Sequence, residues 1–308
     1  MIMGKVVLVL GANGLFGGHA ARAFASAGWE VRKFQRGTDM VAAAKGADVI
    51  VNGMNPPMYH DWATLIPAIT RQVIAAAEAS GSTVIVPGNV YVYGTEPGLW
   101  GPDTPHRPKA RKGKIRAQME ADYKAASRRG MQVIILRGGD FVAPEDNHSF
   151  WNMMTMKGLA KGKLVAMTAP DVKRAYAYLP DMARIAVALA EKRATLPTFT
   201  DMPYAGHTLS MNDLKAHLGR LTGQSLTVSR FGWWQMTLLA PFWELARELR
   251  EMRYLYDHSH GLDPEPLAKA LPDFRATLLD VILREEIATL VPVQGSDHGK
   301  VSLAQTGR

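Results

Sequence analysis

Cysteine is absent from all 308 residues. Its absence rules out a disulfide, a thiolate nucleophile and any Cys-ligated zinc or iron–sulfur cluster. The redox compartment stays open, and a reducing cytoplasm is the simplest fit. Long apolar runs are missing as well. The run Val6–Leu10 is too short for a signal h-region and leads into a glycine motif rather than a cleavage site. The stretch from Phe231 to Trp243 is interrupted by Gly232, Gln235 and Pro241, and it falls well short of the ~20 residues a membrane span needs. A soluble chain is expected. No internal repeat occurs, and a hydrophobic share of 47% excludes wholesale disorder. The length suffices for one large domain or two modest ones.

Positive charge is in excess. Lys and Arg number 36 against 28 Asp and Glu, a formal net charge of +8. Such a balance raises the question of an anionic partner: nucleic acid, membrane surface, phosphate or carboxylate. Six of the basic residues fall within 106–116, and without them the excess drops to +2. This run reads either as a solvated loop and helix start or as an anion site; cations sit poorly at a helix N-terminus, where the dipole is already positive. It is short and has no interleaved aromatics, which argues against nucleic acid. Neither nucleic acid nor membrane is expected as a partner.

Up to about residue 200, β-branched apolar runs alternate with helical patterns. Strands are predicted at Lys5–Leu10, Glu30–Phe34, Asp48–Asn52, Thr83–Val86 and Gln132–Leu136. Helices are predicted at Leu15–Ala27, Met40–Lys45, His60–Ser80, Lys114–Arg129 and Pro180–Lys192, most followed closely by a glycine suited to a left-handed cap. This alternation predicts an α/β fold with a doubly wound parallel Rossmann sheet over residues 1–200, including a loop excursion at 138–172. From 201 to 291 the pattern predicts a smaller, mostly helical cap: Ser210–Thr222, Trp233–Tyr256, Pro264–Leu271 and Phe274–Leu290. Residues 292–308 lack periodicity and read as a mobile tail.

After the first strand comes Gly11-Ala12-Asn13-Gly14-Leu15-Phe16-Gly17-Gly18, opening a helix. Glycine serves where the backbone must turn sharply and approach a pyrophosphate, and the helix N-terminus offers free N–H groups to that anion. The context, an apolar strand before and an amphipathic helix after, is the one a dinucleotide loop requires. At the end of the second strand, Val31-Arg32-Lys33-Phe34-Gln35-Arg36 holds no acid for the adenosine ribose. Arg36, helped by Arg32 or Lys33, suits a 2′-phosphate, so NADP(H) is favoured over NAD(H).

Four segments give the chain a resemblance to the extended short-chain dehydrogenases/reductases of the NAD-dependent epimerase/dehydratase type. They are the glycine loop, Val90-Tyr91-Val92-Tyr93-Gly94, Leu136-Arg137-Gly138-Gly139 and Tyr178-Leu179-Pro180-Asp181-Met182-Ala183. The resemblance implies a nicotinamide cofactor across the strand ends, held by Gly11, Asn13, Gly14, Leu15, Phe16 and Gly17. It also implies Asp39 and Met40 near the adenine, since the family's third-strand region is abbreviated here. Met54, Asn55 and Pro56 would run under the riboses, and Gly88, Gly138, Gly139 and Phe141 would pass the nicotinamide.

The resemblance also implies a Tyr and a Lys four residues apart on a helix, and here it breaks. None of the nine tyrosines has a lysine four positions on. Alignment on Glu120 puts Lys112 at the Tyr position and Arg116 at the Lys position, still one helical turn apart. The Ser/Thr position falls on Gly88 or Asn89. Arg116 can hold ribose or phosphate oxygens but does not trade protons at ordinary pH. Lys112 can act as an acid where burial and neighbouring cations lower its pKa, and Asn89 can polarise a carbonyl.

The expected function is an NAD(P)-binding, epimerase/dehydratase-like oxidoreductase with a non-standard proton donor, acting on a small, anionic carbonyl or hydroxyl substrate. The alternative is a catalytically silent NADP(H) sensor. A homodimer is compatible with either. Asp257, His258, His260 and Asp263 have metal-friendly types but read as a polar loop, and no metal site is expected. Asp181 reads as a helix-start residue, and Phe231, Trp233, Trp234, Phe242 and Trp243 read as cap core, with a pocket or partner surface as the second reading.

Overall fold

The structure, a computed structural model, describes residues 5–145 and 149–290. The expected tail therefore lies outside the described residues. Six parallel strands form the central sheet: β1 (Val6–Leu10), β2 (Glu30–Lys33), β3 (Val49–Asn52), β4 (Thr83–Gly88), β5 (Val133–Arg137) and β6 (Phe199–Pro203). Their order is β6-β5-β4-β3-β1-β2. The first five match the predicted strands within two residues at either end. The sixth was missed: Phe199-Thr200-Asp201-Met202-Pro203 is neither Val/Ile-rich nor alternating, and it is strand because it pairs with β5.

Helices α1 (Leu15–Ser26), α2 (Met40–Ala44), α3 (Trp62–Ser80), α4 (Arg111–Ser127) and α5 (Leu179–Glu191) cover the two faces. One apolar layer gathers Val7, Val9, Phe16, Phe24, Ile134, Leu179 and Leu189 under α1 and α5. The other gathers Leu8, Ile50, Trp62, Val73, Met119 and Tyr123 under α3 and α4. Both faces of β1, β3 and β5 are thus buried, which explains their unbroken apolar runs. β2 reads Glu-Val-Arg-Lys because it is the sheet's edge.

The cap contains α6 (Met211–Thr222), α7 (Trp233–Leu239), α8 (Glu244–Met252), α9 (Glu265–Ala270) and α10 (Leu279–Leu290). The single helix expected over Trp233–Tyr256 is broken around Pro241, which lacks the N–H that would bond the carbonyl four residues back. The excursion after β5 packs into the cap: Trp151, Leu159 and Leu164 share a core with Leu214, Leu218 and Leu283. Glu286 is fully buried beside the Trp151 indole, with no cation paired to it among the described residues. No helix among the described residues is long and apolar enough to cross a membrane.

Candidate functional site

The chain leaves β1 for β2 on one side and reaches β3 on the other, and the crevice at such a switch point is where open α/β sheets bind ligands. The glycine loop lies at that point. Gly11 has φ of 70°, and a Cβ on Gly17 would stand 2.2 Å from the Gly11 carbonyl oxygen, so the turn closes only with glycine at both positions. Asn13 and Gly14 are exposed at its tip, while Phe16 is core. No side chain caps the start of α1 and its first turn holds no acid, so its N–H groups remain for an anion. This cradle fits a pyrophosphate.

At the end of β2 the three candidate cations part ways. Arg32 is held by Glu30 at 2.7 Å and by the Lys45 carbonyl at 2.8 Å. Lys33 and Arg36 are exposed. The Asp39 carboxylate caps α2, accepting from Val41 and Ala42 at 2.9 and 3.3 Å, and the Met40 side chain is buried in the core. Leu15, Met54 and Phe141 are half-buried, and Asn55 is exposed. Pro56 is buried, its carbonyl accepting from the Trp62 indole at 3.2 Å.

Two pairs of the predicted residues meet. The Gly138 amide donates to the Gly88 carbonyl at 3.1 Å, and Arg116 donates to Asn55 Oδ1 at 3.3 Å. Gly138 and Gly139 are glycines for packing: a Cβ on Gly139 would lie 2.1 Å from the Ala175 carbonyl oxygen. Asn89 accepts from the Tyr91 amide at 3.0 Å through Oδ1, which fixes the turn carrying Tyr91. Its amide NH2 group is the donor end.

Helix α4 begins at Arg111, a turn earlier than predicted, so Lys112 and Arg116 both lie on it. Its cationic start is balanced from the cap. Glu251 accepts from the Arg111 amide, and Glu248 accepts from the Arg111 guanidinium at 2.7 Å. Lys112 is buried, ion-paired with Glu248 and 3.2 Å from Glu251, with its ammonium 4.9 Å from the Tyr59 ring centre. Arg116 is buried 5.1 Å from the Trp62 ring centre, and its Nε has no hydrogen-bond partner among the described residues. Burial pulls the Arg116 guanidinium down from its ordinary value, against the opposing pull of Glu120.

The sequence reading missed the polar cluster between this helix and the cap. Tyr59 and Tyr91 meet through their hydroxyls at 3.1 Å. Burial pushes both phenols well above their ordinary value, so they stay protonated. Arg174 pairs with Asp140 at 2.6 Å and lies 3.9 Å from the Tyr256 ring centre, and its Nε also lacks a hydrogen-bond partner among the described residues. Arg116 and Arg174 both act electrostatically on Tyr91. Tyr91 sits inside one of the four family-like segments, and that was the one available signal.

The remaining polar groups have structural work. The Arg137 guanidinium meets Glu120 at 2.8 and 3.0 Å and Asp201 at 2.7 and 3.1 Å. It thereby fills the space among His106, Glu120 and Asp201, whose ligand-type atoms lie within 4.8 Å of one another. His260 stacks on Trp100 at 4.4 Å, and burial pushes its imidazole down to about 4. Asp181 accepts from Tyr204, Arg184 and Thr277, tying α5 to the cap. Trp233 is cap core, whereas Trp234, Phe242 and Trp243 are exposed.

Residues 7–202 match the profile of the NAD dependent epimerase/dehydratase family. No curated protein matches by sequence. Among solved structures, UDP-glucuronic acid 4-epimerase from Bacillus cereus, in complex with UDP-glucuronic acid and NAD, superposes with a TM-score of 0.76 at 16% identity, covering 93% of this chain and 99% of that one. MoeE5 in complex with UDP-glucose and NAD gives 0.73 at 18% identity, over 92% and 97% of the two chains. TunA, an NAD-dependent NDP-hexosamine 5,6-dehydratase of tunicamycin biosynthesis, gives 0.69 at 17%, over 93% and 96%. With its Rossmann sheet and glycine cradle, the chain belongs to the NAD-dependent epimerase/dehydratase family and is an epimerase/dehydratase-like oxidoreductase using a nicotinamide nucleotide.

Proposed function

We propose that this oxidoreductase takes NADP(H) in preference to NAD(H), acts on a small anionic carbonyl or hydroxyl compound, and draws its proton from Tyr91. The observation that carries this reading is the pair of buried guanidiniums, Arg116 and Arg174, each with an Nε that has no hydrogen-bond partner among the described residues and each electrostatically coupled to Tyr91. A buried N–H without a partner costs roughly 1–3 kcal/mol, a penalty that an arriving anion would relieve. The nucleotide sugars bound by the compared epimerase and by MoeE5 carry such anions, and that substrate class is the one proposed here.

Residues 11–17 would cradle the pyrophosphate, Arg36 would grip a 2′-phosphate, and the segments 54–56, 88–89 and 138–141 would pass the rest of the cofactor. When bound, the nicotinamide supplies or accepts a hydride. Protonated Tyr91 donates to the substrate oxygen, and the phenolate left behind is reprotonated from solvent through the Tyr59 hydroxyl 3.1 Å away, which gives up one proton and takes another. The Asn89 amide polarises the same carbonyl. Lys112, engaged by Glu248, ties the cap to α4 and keeps positive charge beside Tyr59. Cytoplasmic location and a homodimer belong to the same proposal; the apolar groove lined by Ile66, Pro67, Ile115 and Met119 between α3 and α4 is a face that suits a second copy.

The test is NADPH oxidation across nucleotide sugars and other anionic carbonyl compounds, run beside a binding titration of NADPH and NADH. Turnover with tighter NADPH binding is expected. Tight binding without turnover on any compound would replace this reading with the silent sensor.

A further inference from the structure

Helix α7 and the turn after it present an apolar surface that the active site does not use. Trp233, Met236 and Ala240 face inward, against Met167, Leu249 and Tyr256 in the case of Trp233 and Met236. The opposite side carries Trp234, Leu238, Leu239, Phe242 and Trp243, with Phe242 91% exposed and Trp234 and Leu238 each 65% exposed. The Trp233 indole donates to the Met167 carbonyl at 2.7 Å, so the helix is anchored and its outward face is a fixed feature.

Charge surrounds this face unevenly. Arg230, Arg247, Arg250 and Arg253 are all exposed, and Arg247 donates to the Ala240 carbonyl at 3.3 Å, directly at the patch. The acids of α8 mostly turn the other way: Glu248 and Glu251 engage Lys112. The outward acids, Glu244 and Asp257, lie beside His60 at 3.2 Å and Arg253 at 3.7 Å.

We propose that the α7–α8 hairpin docks on an anionic lipid surface, with Phe242, Leu238 and the two flanking tryptophans entering the headgroup boundary and the arginines meeting lipid phosphates. Three points select this occupant. Protruding rings such as Phe242 suit a fluid boundary, whereas a protein partner must supply a matching hollow. Tryptophan is the residue favoured at membrane–water interfaces, and an aromatic–leucine face edged by arginine is the pattern of interfacial helices. A second copy paired about a two-fold axis would set the four arginines against themselves. The charge excess raised a membrane surface as a partner and the concentration of cations in 106–116 turned the expectation away from it; the exposed aromatic face of α7 brings it back. The proposal is independent of the substrate and cofactor reading above.

The experiment is co-sedimentation of the full chain with phosphatidylcholine vesicles, with and without phosphatidylserine, together with tryptophan emission. Binding to the anionic vesicles, weakened by salt, with a blue shift lost in Trp234→Phe/Trp243→Phe, is expected. Phe242→Ser should weaken binding about tenfold for the buried ring it removes, and each of Arg247→Gln and Arg250→Gln about fivefold. Phe242→Ser should leave the thermal midpoint unchanged, and the arginine variants keep the test intact if it does not. Absence of sedimentation overturns the proposal, as does binding that none of these variants alters. A wild-type dimer that Phe242→Ser makes monomeric, without vesicle binding, would assign the patch to self-association instead.

Discussion

Two buried arginines in this molecule live under opposite conditions. Arg137, at the end of β5, has two carboxylates gripping its fork and the Asn89 carbonyl at 2.7 Å. Arg174, on the strand Arg174–Tyr178 facing the cap, has Asp140 and an Nε without a hydrogen-bond partner among the described residues, and the Arg116 Nε is likewise unpartnered among them. Both sites bear the cost of burying charge. Only at the first is every hydrogen-bonding demand met within the chain. Arg137 holds the sheet's C-terminal edge together, whereas the Arg116–Arg174 side, on the function proposed above, leaves donors for an arriving anion.

The sharpest way to break this contrast is Arg137→Met. It strands Glu120 and Asp201, and the loss should be roughly 3–5 kcal/mol, read as a lowered urea midpoint. An equal loss from Arg174→Met would erase the difference; the expected outcome there is a raised KM for an anionic substrate with a smaller stability cost. Tyr91→Phe tests the functional side. It should lower kcat about 10²–10⁴-fold with the fold intact, while Lys112→Met should act mainly through stability, by leaving Glu248 with Arg111 as its one remaining cation among the described residues. A larger effect on kcat from Lys112→Met than from Tyr91→Phe would return the proton to the lysine.

Glu286 brings the contrast into the cap, where burial raises its carboxyl to about 8. The folded protein holds that proton more tightly than the unfolded chain. The stability it contributes is therefore full below the ordinary value of 4.5 and is lost as pH rises through about 8. Thermal midpoints should fall over that window, and Glu286→Gln should flatten the fall, by on the order of 5 kcal/mol. The smallest effect is expected at the periphery. Arg36→Ala should weaken NADPH about tenfold, leave NADH unchanged and leave the thermal midpoint where it was.

Much of the core could be read locally. Val6–Leu10 and Val49–Asn52 are apolar on both faces because the sheet is covered on both, and the glycine spacing marks a turn that admits no Cβ at Gly17. What could not be read depends on partners far along the chain. Glu248 and Glu251 meet Arg111 and Lys112 some 136 to 140 residues away, so a run of cations that read either as a solvated loop and helix start or as an anion site is partly neutralised from the cap. Tyr59 and Tyr91 are ordinary in sequence and matter through a contact between two loops. The aromatic segment at 231–243 was expected to be core, yet one helical face is core and the other is surface, a distinction composition alone does not carry.

The position of β2 at the border of the sheet has a consequence for how this enzyme can change. On the proposed reading, the residues that would face the cofactor's adenosine end, Lys33 and Arg36, are exposed and lie at and just beyond the end of a strand paired on one side only. Substitutions there are almost free of structural penalty. The choice between phosphorylated and unphosphorylated nucleotide can therefore drift or be redesigned without passing through unstable intermediates. The same charged border, Glu30, Arg32 and Lys33, keeps the open strand from recruiting a foreign one.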